Sequence, residues 1–228
     1  MKTKLHFNRE IEKLKKLILT LASEVEDNLR LAVESVMLND GKLALRVIET
    51  DREIDHAEVD VEEECLKILA LHQPVANDLR YVVAILKINH DLERIGDLAV
   101  NIGEYAHRLS GMVRPDIGLN IPLIAEKAQH MVSRSIDALI NLNAELARIT
   151  WLSDDEVDEL VRTDRQVLEA EMDNRPGQAK ALIALIEVIQ NLERIADHAT
   201  NISKDVIYLC NGEIVRHRAR EFRQPLDG

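Results

Sequence analysis

An eleven-residue segment occurs twice in this chain, and it constrains the fold more than any other sequence feature. The first copy covers residues 92–102 and the second covers residues 192–202, so the two copies are 100 residues apart. Eight of the eleven paired positions carry the same residue. Self-similarity at a fixed distance along a chain indicates an internal duplication. We therefore predict two related halves of roughly 100 residues each.

The spacing within each copy is that of a helix. Glu193, Asp197 and Asn201 are four residues apart, which places them in one row along a helix. The first copy has the equivalent row of Glu93, Asp97 and Asn101. The apolar residues recur at intervals of three and four, and at ~100° per residue the polar row lies roughly 140° from the centre of that apolar stripe. We expect both polar rows to point away from the core, towards a flank or the surface.

The composition favours an all-α protein. Hydrophobic residues make up 46% of the 228 residues, whereas there are only 8 Gly and 5 Pro and aromatic residues make up 3%. Scarce helix breakers and scarce aromatics are typical of packed helical proteins. The formal net charge of −12 argues against nucleic acid as the main ligand, because phosphate binding needs concentrated Lys and Arg. The same charge suits cations and basic protein partners.

Cysteine usage and the N-terminal segment predict a cytoplasmic protein. Cys65 and Cys210 are the only cysteines, too few for a disulfide framework. The N-terminal residues contain no apolar segment of the kind that a signal peptide requires. The longest uncharged apolar runs are too short to span a bilayer, so we expect no direct membrane insertion.

Apolar periodicity, together with breaks rich in Gly, Pro and Asn, predicts three helices in each half. The six predicted helices cover residues 7–39, 43–71, 77–108, 122–149, 154–173 and 177–211. We predict two tandem, sequence-related three-helix bundles, the first in residues 1–110 and the second in residues 119–212. Residues 213–228 form a charged C-terminal tail that we expect to be poorly ordered.

Each half carries two pairs of acidic residues spaced four apart, on its second and third predicted helices. They are Asp51, Asp55, Glu93 and Asp97 in the first half, and Asp154, Asp158, Glu193 and Asp197 in the second. Like charges four apart destabilise a helix by about 0.2–0.5 kcal/mol per pair. For an isolated pair the ordinary explanation is a solvated face, but the repetition of the pattern favours a bound cation. Oxygen ligands suit Mg²⁺, Ca²⁺, Mn²⁺ or ferric iron, and carboxylates also bind zinc.

Two further stretches carry a resemblance to a known family. Residues 73–80 read Gln-Pro-x-Ala-x-Asp-Leu-Arg, and they are followed by Leu-Glu-Arg-Ile-Gly-Asp at residues 92–97. This combination resembles the PhoU family of phosphate-signalling regulators, and residues 192–202 resemble that family's second repeat. The resemblance extends over roughly residues 7–210.

The resemblance implies two three-helix bundles in the cytoplasm, with surface carboxylates that bind multinuclear iron or zinc clusters. The implied ligands are the eight acids named above, and the additional candidates are Asn101, Asn201, Glu58 and Glu62. It also implies a negative regulator that links a phosphate ABC transporter, through its ATPase subunit, to a sensor histidine kinase at the inner face of the membrane. From their places in the motifs we predict partner contacts for Asp78, Arg80, Arg94 and Arg194. A homodimer is compatible with these expectations.

Two other functions remain open at this point. A di-iron carboxylate enzyme would use Glu-x-x-His pairs, which occur at residues 53–56 and 104–107, but it needs ligands that face inward from four helices. A metal-free helical adaptor would use the acidic rows to attract basic partner surfaces. We expect no enzyme activity, because neither a Gly-rich phosphate loop nor a Ser/His/Asp spacing is present. Lys204 stands where the first half has Glu104, which puts metal binding by the second half in doubt.

Overall fold

This computed structural model describes residues 2–212, with side chains from residue 6 onward. Within this range the chain consists of helices joined by turns and loops. The elements are α1 (Lys2–Met37), α2 (Gly41–His72), α3 (Ala76–Ser110), α4 (Ile121–Ile140), α5 (Ala144–Leu152), α6 (Asp154–Asn174), a 3-10 turn (Pro176–Gln178) and α7 (Ala179–Asn211). The predicted all-α fold is confirmed. The predicted tail, residues 213–228, lies outside the described residues. Within residues 2–212, no helix combines the length and apolar character needed to cross a bilayer.

The first repeat is a bundle of α1, α2 and α3, as predicted. Apolar side chains at helical spacing fill its centre, among them Leu14, Leu21, Ile54, Ile85 and Leu92. Two glycines on α3 allow α2 to approach closely. A Cβ atom at Gly96 would lie 3.1 Å from Ile54, and one at Gly103 would lie 3.1 Å from Val47. This close packing brings the acidic row of α2 next to that of α3.

The second repeat differs from the prediction in its first helix. We predicted one helix over residues 122–149, but the structure has two, α4 and α5, separated by a turn at residues 141–143. Leu142 in this turn has a positive φ of 48°. The side chain of Asn143 caps α5 by accepting a hydrogen bond of 3.0 Å from the backbone N–H of Leu146. The prediction of one helix was wrong because apolar periodicity continues through a turn that the asparagine cap creates.

The two repeats are joined through α3 and α7, which lie side by side and run in opposite directions. In order along α3, the contacts are Arg80 with Tyr208, Lys87 with Asp205, and Asp91 with His198. Residue numbers therefore rise on α3 as they fall on α7. The pair Lys87–Asp205 has a repeat equivalent, Glu187–Tyr105, which is also in contact. An approximate two-fold axis between α3 and α7 thus relates the two repeats.

Candidate functional site

The acidic pairs of the first repeat meet in the groove between α2 and α3. Burial and the charges of Asp55 and Asp97 raise the pKa of Asp51 above its ordinary value. Burial and the charge of Asp97 likewise raise the pKa of Glu93. Carboxylates from two helices are therefore close enough to repel one another. We call these four residues, Asp51, Asp55, Glu93 and Asp97, the first cluster.

The equivalent acids of the second repeat meet between α6 and α7. Burial, followed by the charges of Asp197 and Asp158, raises the pKa of Asp154 to about 7. Burial and the charges of Asp158 and Asp197 also raise the pKa of Glu193. Asp154 is the first residue of α6, where the helix dipole favours a negative charge and offsets part of the repulsion. These four residues, Asp154, Asp158, Glu193 and Asp197, form the second cluster.

The clusters lie at the flank of each bundle, but several of their side chains are half-buried. The side chains of Glu93 and Asp97 are 23% and 38% exposed. Oε2 of Glu93 and Oδ1 of Asp154 are buried. Oε2 lies 3.4 Å from Nε of Arg94 and 3.7 Å from Nδ1 of His90, which is longer than an ordinary hydrogen bond. The carboxylate of Asp154 has the hydroxyl of Thr200 beside it. These oxygens are therefore positioned to gain from a cation or a hydrogen-bond donor.

Arginine partly neutralises the first cluster. Arg94, which we predicted to contact a partner protein, forms an ion pair with Asp97, in which Nη1 lies 2.9 Å from Oδ2. Its Nε also lies 3.4 Å from Oε2 of Glu93. The equivalent Arg194 is exposed on α7. Solvent-exposed pairs of this kind contribute about 0.2–1 kcal/mol, so a multivalent cation competes readily for the same oxygens.

The additional ligand candidates lie at the edges of the clusters. Asn101 and Asn201 are exposed. Glu58 is half-buried on α2, where its carboxylate accepts a hydrogen bond of 3.0 Å from Nδ2 of Asn89. Burial and the charge of Glu62 raise the pKa of Glu58, while Glu62 itself is exposed. The acidic row on α2 therefore extends beyond the first cluster towards the C-terminal half of that helix.

The other two predicted partner contacts lie at the start of α3. Asp78 is exposed, whereas the guanidinium of Arg80 lies 5.7 Å from the centre of the Tyr208 ring on α7. Both residues line an open cavity of about 780 Å³, which the beginning of α1 and the end of α7 also border. Arg80 thus helps to join the two repeats, whatever partner it meets. Contact of these residues with another protein stays a prediction.

The carboxylates fit a cation by charge, but they do not form a preformed ligand set. Among residues 2–212, no group of three or more His, Cys, Asp or Glu side chains is arranged to hold a metal ion. Rotation of the half-buried carboxylates would be needed to bring their oxygens onto one ion. The Glu-x-x-His pairs at residues 53–56 and 104–107 lie on the exposed surface, and Nδ1 of His107 lies 3.2 Å from the carbonyl oxygen of Gly41. That placement does not match the inward-facing ligands of a di-iron enzyme.

Sequence reasoning missed one polar residue beside the second cluster. Thr200 is 2% exposed, and its hydroxyl donates a hydrogen bond to the carboxylate of Asp154. The equivalent residue in the first repeat is Val100, so the two clusters have different surroundings. Aligning the two copies position by position would have identified Thr200, because it stands where the first copy has the apolar residue Val100.

The raised pKa of Asp154 predicts a pH-dependent stability in the presence of a chelator. With a pKa of about 7 in the folded state and an ordinary value of 3.8, Asp154 holds a proton in the folded chain after the unfolded chain has lost it. This group therefore makes folding less favourable as the pH rises from 3.8 to about 7. Asp154→Asn mimics the protonated form, and after allowance for solvent screening we expect it to be about 2 kcal/mol more stable than wild type at pH 8.

Urea denaturation at pH 4 and pH 8 measures this difference. The matched control is Asp155→Asn at the exposed neighbouring position, for which we expect little change with pH. An advantage of Asp154→Asn that does not grow between the two pH values would contradict the prediction.

Comparison with known proteins shows the same division into two repeats. A model of the PhoU domain matches residues 18–106 and 121–206. The chain is 37% identical over 210 residues to the phosphate-specific transport system accessory protein PhoU homolog of Aquifex aeolicus, covering 92% of this chain and 95% of that protein. The homolog of Pseudomonas putida is 36% identical over 212 residues, covering 92% and 83%. The crystal structure of PhoU from Pseudomonas aeruginosa superposes with a TM-score of 0.89 at 35% identity, covering 91% of this chain and 100% of that one.

Proposed function

This chain belongs to the PhoU domain family, and we propose on that basis that it is a negative regulator of phosphate uptake and of phosphate-starvation signalling. The observation that carries the proposal is the match of both repeats, at more than a third identity, to accessory proteins of phosphate-specific transport systems. In this role the protein acts by binding other proteins and not by catalysis. It works in the cytoplasm and reaches the inner face of the membrane through its partners.

The proposed partners are the ATPase subunit of the phosphate transporter and a sensor histidine kinase. The net charge of −12 and the acidic row along α2 support contact with basic surfaces on these partners. Binding both proteins would let one regulator restrain uptake and hold the kinase in its repressing state when phosphate is plentiful.

We further propose that carboxylate clusters of this chain bind metal ions. Multinuclear iron or zinc is the first choice, and Mg²⁺, Mn²⁺ or Ca²⁺ are the alternatives. The support comes from carboxylates of two helices crowded together in each repeat, where burial and mutual repulsion raise the pKa of Asp51 and of Asp154. A bound cation would remove the repulsion between the helices and stabilise their packing.

Pull-down and metal analysis test this proposal together. Purified, tag-free protein should retain the ATPase subunit or the kinase of the same organism, and retention of neither would contradict the regulatory role.

The variant carrying Asp97→Ala and Asp197→Ala should contain less metal than wild type while keeping its far-UV circular dichroism. If partner binding survives a chelator unchanged, the protein acts as a metal-free adaptor. A collapse of helicity in the variant would show that these acids are structural.

A further inference from the structure

The two clusters contain equivalent carboxylates, but the charged residues beside them differ between the repeats, and the clearest difference on α3 and α7 is at one position. Glu104 follows Asp97 by seven residues on α3, and Lys204 follows Asp197 by seven residues on α7. Seven residues correspond to about two helical turns, so this position lies on the same face as the acids of the cluster. The charge at this position is negative in the first repeat and positive in the second.

Lys204 reaches the second cluster. Its ammonium group acts on the carboxylate of Asp154 and opposes the effects of burial and of the neighbouring acids. Its Nζ also lies 5.1 Å from the centre of the Trp151 ring. Trp151 is 8% exposed and stands three residues before Asp154. The ammonium therefore lies beside an aromatic ring and close enough to an acid of the cluster to act on its charge.

Thr200 also faces the second cluster. Its hydroxyl is buried and donates a hydrogen bond to the carboxylate of Asp154. Thr200 precedes Lys204 by one helical turn, so the two side chains emerge on the same side of α7. An ammonium group has three N–H donors and can donate to the same carboxylate after a change of rotamer.

The corresponding residue of the first repeat is engaged elsewhere. The side chain of Glu104 is 47% exposed and pairs with Arg108 one turn further along α3, at 3.3 Å. Arg94 and Arg194 occupy equivalent positions in the two repeats, so these arginines do not distinguish the clusters by charge. The exchange of Glu104 for Lys204 is one difference in charge between the two repeats. Arg165 on α6, which acts on Glu193 and stands where α2 has Glu62, is another.

We propose that Lys204 takes the place of a bound cation at the second cluster, so that only the first cluster binds divalent metal ions. This inference rests on the proposed function, in which carboxylate clusters of this chain bind metal. The ammonium neutralises charge that a metal ion would otherwise neutralise, and it repels an incoming cation. The duplicated chain thus has one exchangeable cation site and one that is filled by its own side chain.

A zinc-binding experiment tests the proposal. Full-length, tag-free protein is treated with a chelator and then titrated with Zn²⁺, and the bound zinc is measured by elemental mass spectrometry and by calorimetry. In wild type, Asp97→Asn should abolish zinc binding, whereas Asp197→Asn should leave it unchanged. Lys204→Glu recreates in the second repeat the charge that Glu104 has in the first. This variant should bind roughly twice as much zinc per chain, because both clusters then offer equivalent carboxylates. The reciprocal Glu104→Lys should lower binding at the first cluster.

Trp151 provides a second readout, since it is the only tryptophan in the chain. Zinc has no redox chemistry, so a fluorescence change on titration reports a change around the ring and not oxidation. We expect the fluorescence of Lys204→Glu to respond to zinc and that of wild type not to respond. Lys204→Met, which carries neither charge, serves as the matched control and should bind zinc at the second cluster more weakly than Lys204→Glu. Far-UV circular dichroism checks that each variant is folded.

The outcomes separate this inference from the proposed function. If Asp97→Asn and Asp197→Asn each remove half of the zinc from wild type, the role of Lys204 is overturned while metal binding stands. If neither wild type nor Lys204→Glu binds zinc, the proposed metal binding fails, and this inference fails with it.

Discussion

Replacing Lys87 with Met should lower the free energy of unfolding by about 3 kcal/mol. Lys87 on α3 forms an ion pair of 3.3 Å with Asp205 on α7, across the junction of the two repeats. The side chain of Asp205 is 3% exposed, whereas that of Lys87 is 37% exposed. Removing the lysine deprives a buried carboxylate of its ion-pair partner across the junction. Breaking a buried pair from one side costs about 3–5 kcal/mol, and the partial exposure of Lys87 favours the lower value.

Urea denaturation followed by circular dichroism measures this loss. Lys180→Met is the matched control, because Lys180 is exposed near the start of α7, and we expect it to change stability by less than about 0.5 kcal/mol. The double variant with Asp205→Leu should recover most of the loss, since it removes both charges. If Lys87→Met is no more destabilising than Lys180→Met, the ion pair does not hold the repeats together.

Asp164→Ala should destabilise the second repeat by about 2–3 kcal/mol. Asp164 on α6 is 1% exposed, and its carboxylate accepts two hydrogen bonds from Asn120, the residue before α4. The backbone N–H of Asn120 lies 2.6 Å from one oxygen, and the side-chain Nδ2 lies 2.7 Å from the other. The alanine variant removes both bonds and leaves the start of α4 without its anchor on α6.

Thermal and urea denaturation of Asp164→Ala test this expectation. Asp173→Ala, at an exposed position of the same helix, is the control and should have little effect. Asp164→Asn keeps one acceptor oxygen but loses the charge, so its stability should lie between those of wild type and Asp164→Ala. Equal stability of the Asp164→Ala and Asp173→Ala variants would contradict an anchoring role.

Apolar periodicity was sufficient to predict the helices apart from the one over residues 122–149, and the repeated motif identified acids that lie near one another on neighbouring helices. Helical periodicity and residue spacing depend on local geometry, and the offset of 100 residues carries the same geometry into the second half. Such reasoning could not predict two other interactions. They are the hydrogen bonds between Asp164 and Asn120 and the ion pair between Lys87 and Asp205. Each joins residues far apart in the sequence, and each depends on how one helix is rotated against another.

The exposure of the acids was predicted only in part. The angle between the acidic row and the apolar stripe describes one helix in isolation, and it correctly places the row at a flank. It does not include the neighbouring helix, which covers part of that flank where Gly96 and Gly103 allow close packing. Half-burial of Glu93 therefore follows from packing between helices and not from the spacing along one helix.

The antiparallel arrangement of α3 and α7 places one helix of each cluster at the junction of the two repeats. Because Asp91 lies opposite His198, Glu93 is nearly level with Asp197 on the neighbouring helix. One helix of each acidic groove, α3 or α7, therefore takes part in the junction of the two repeats. A substitution that changes the packing of α3 against α7 acts on one wall of both grooves at once.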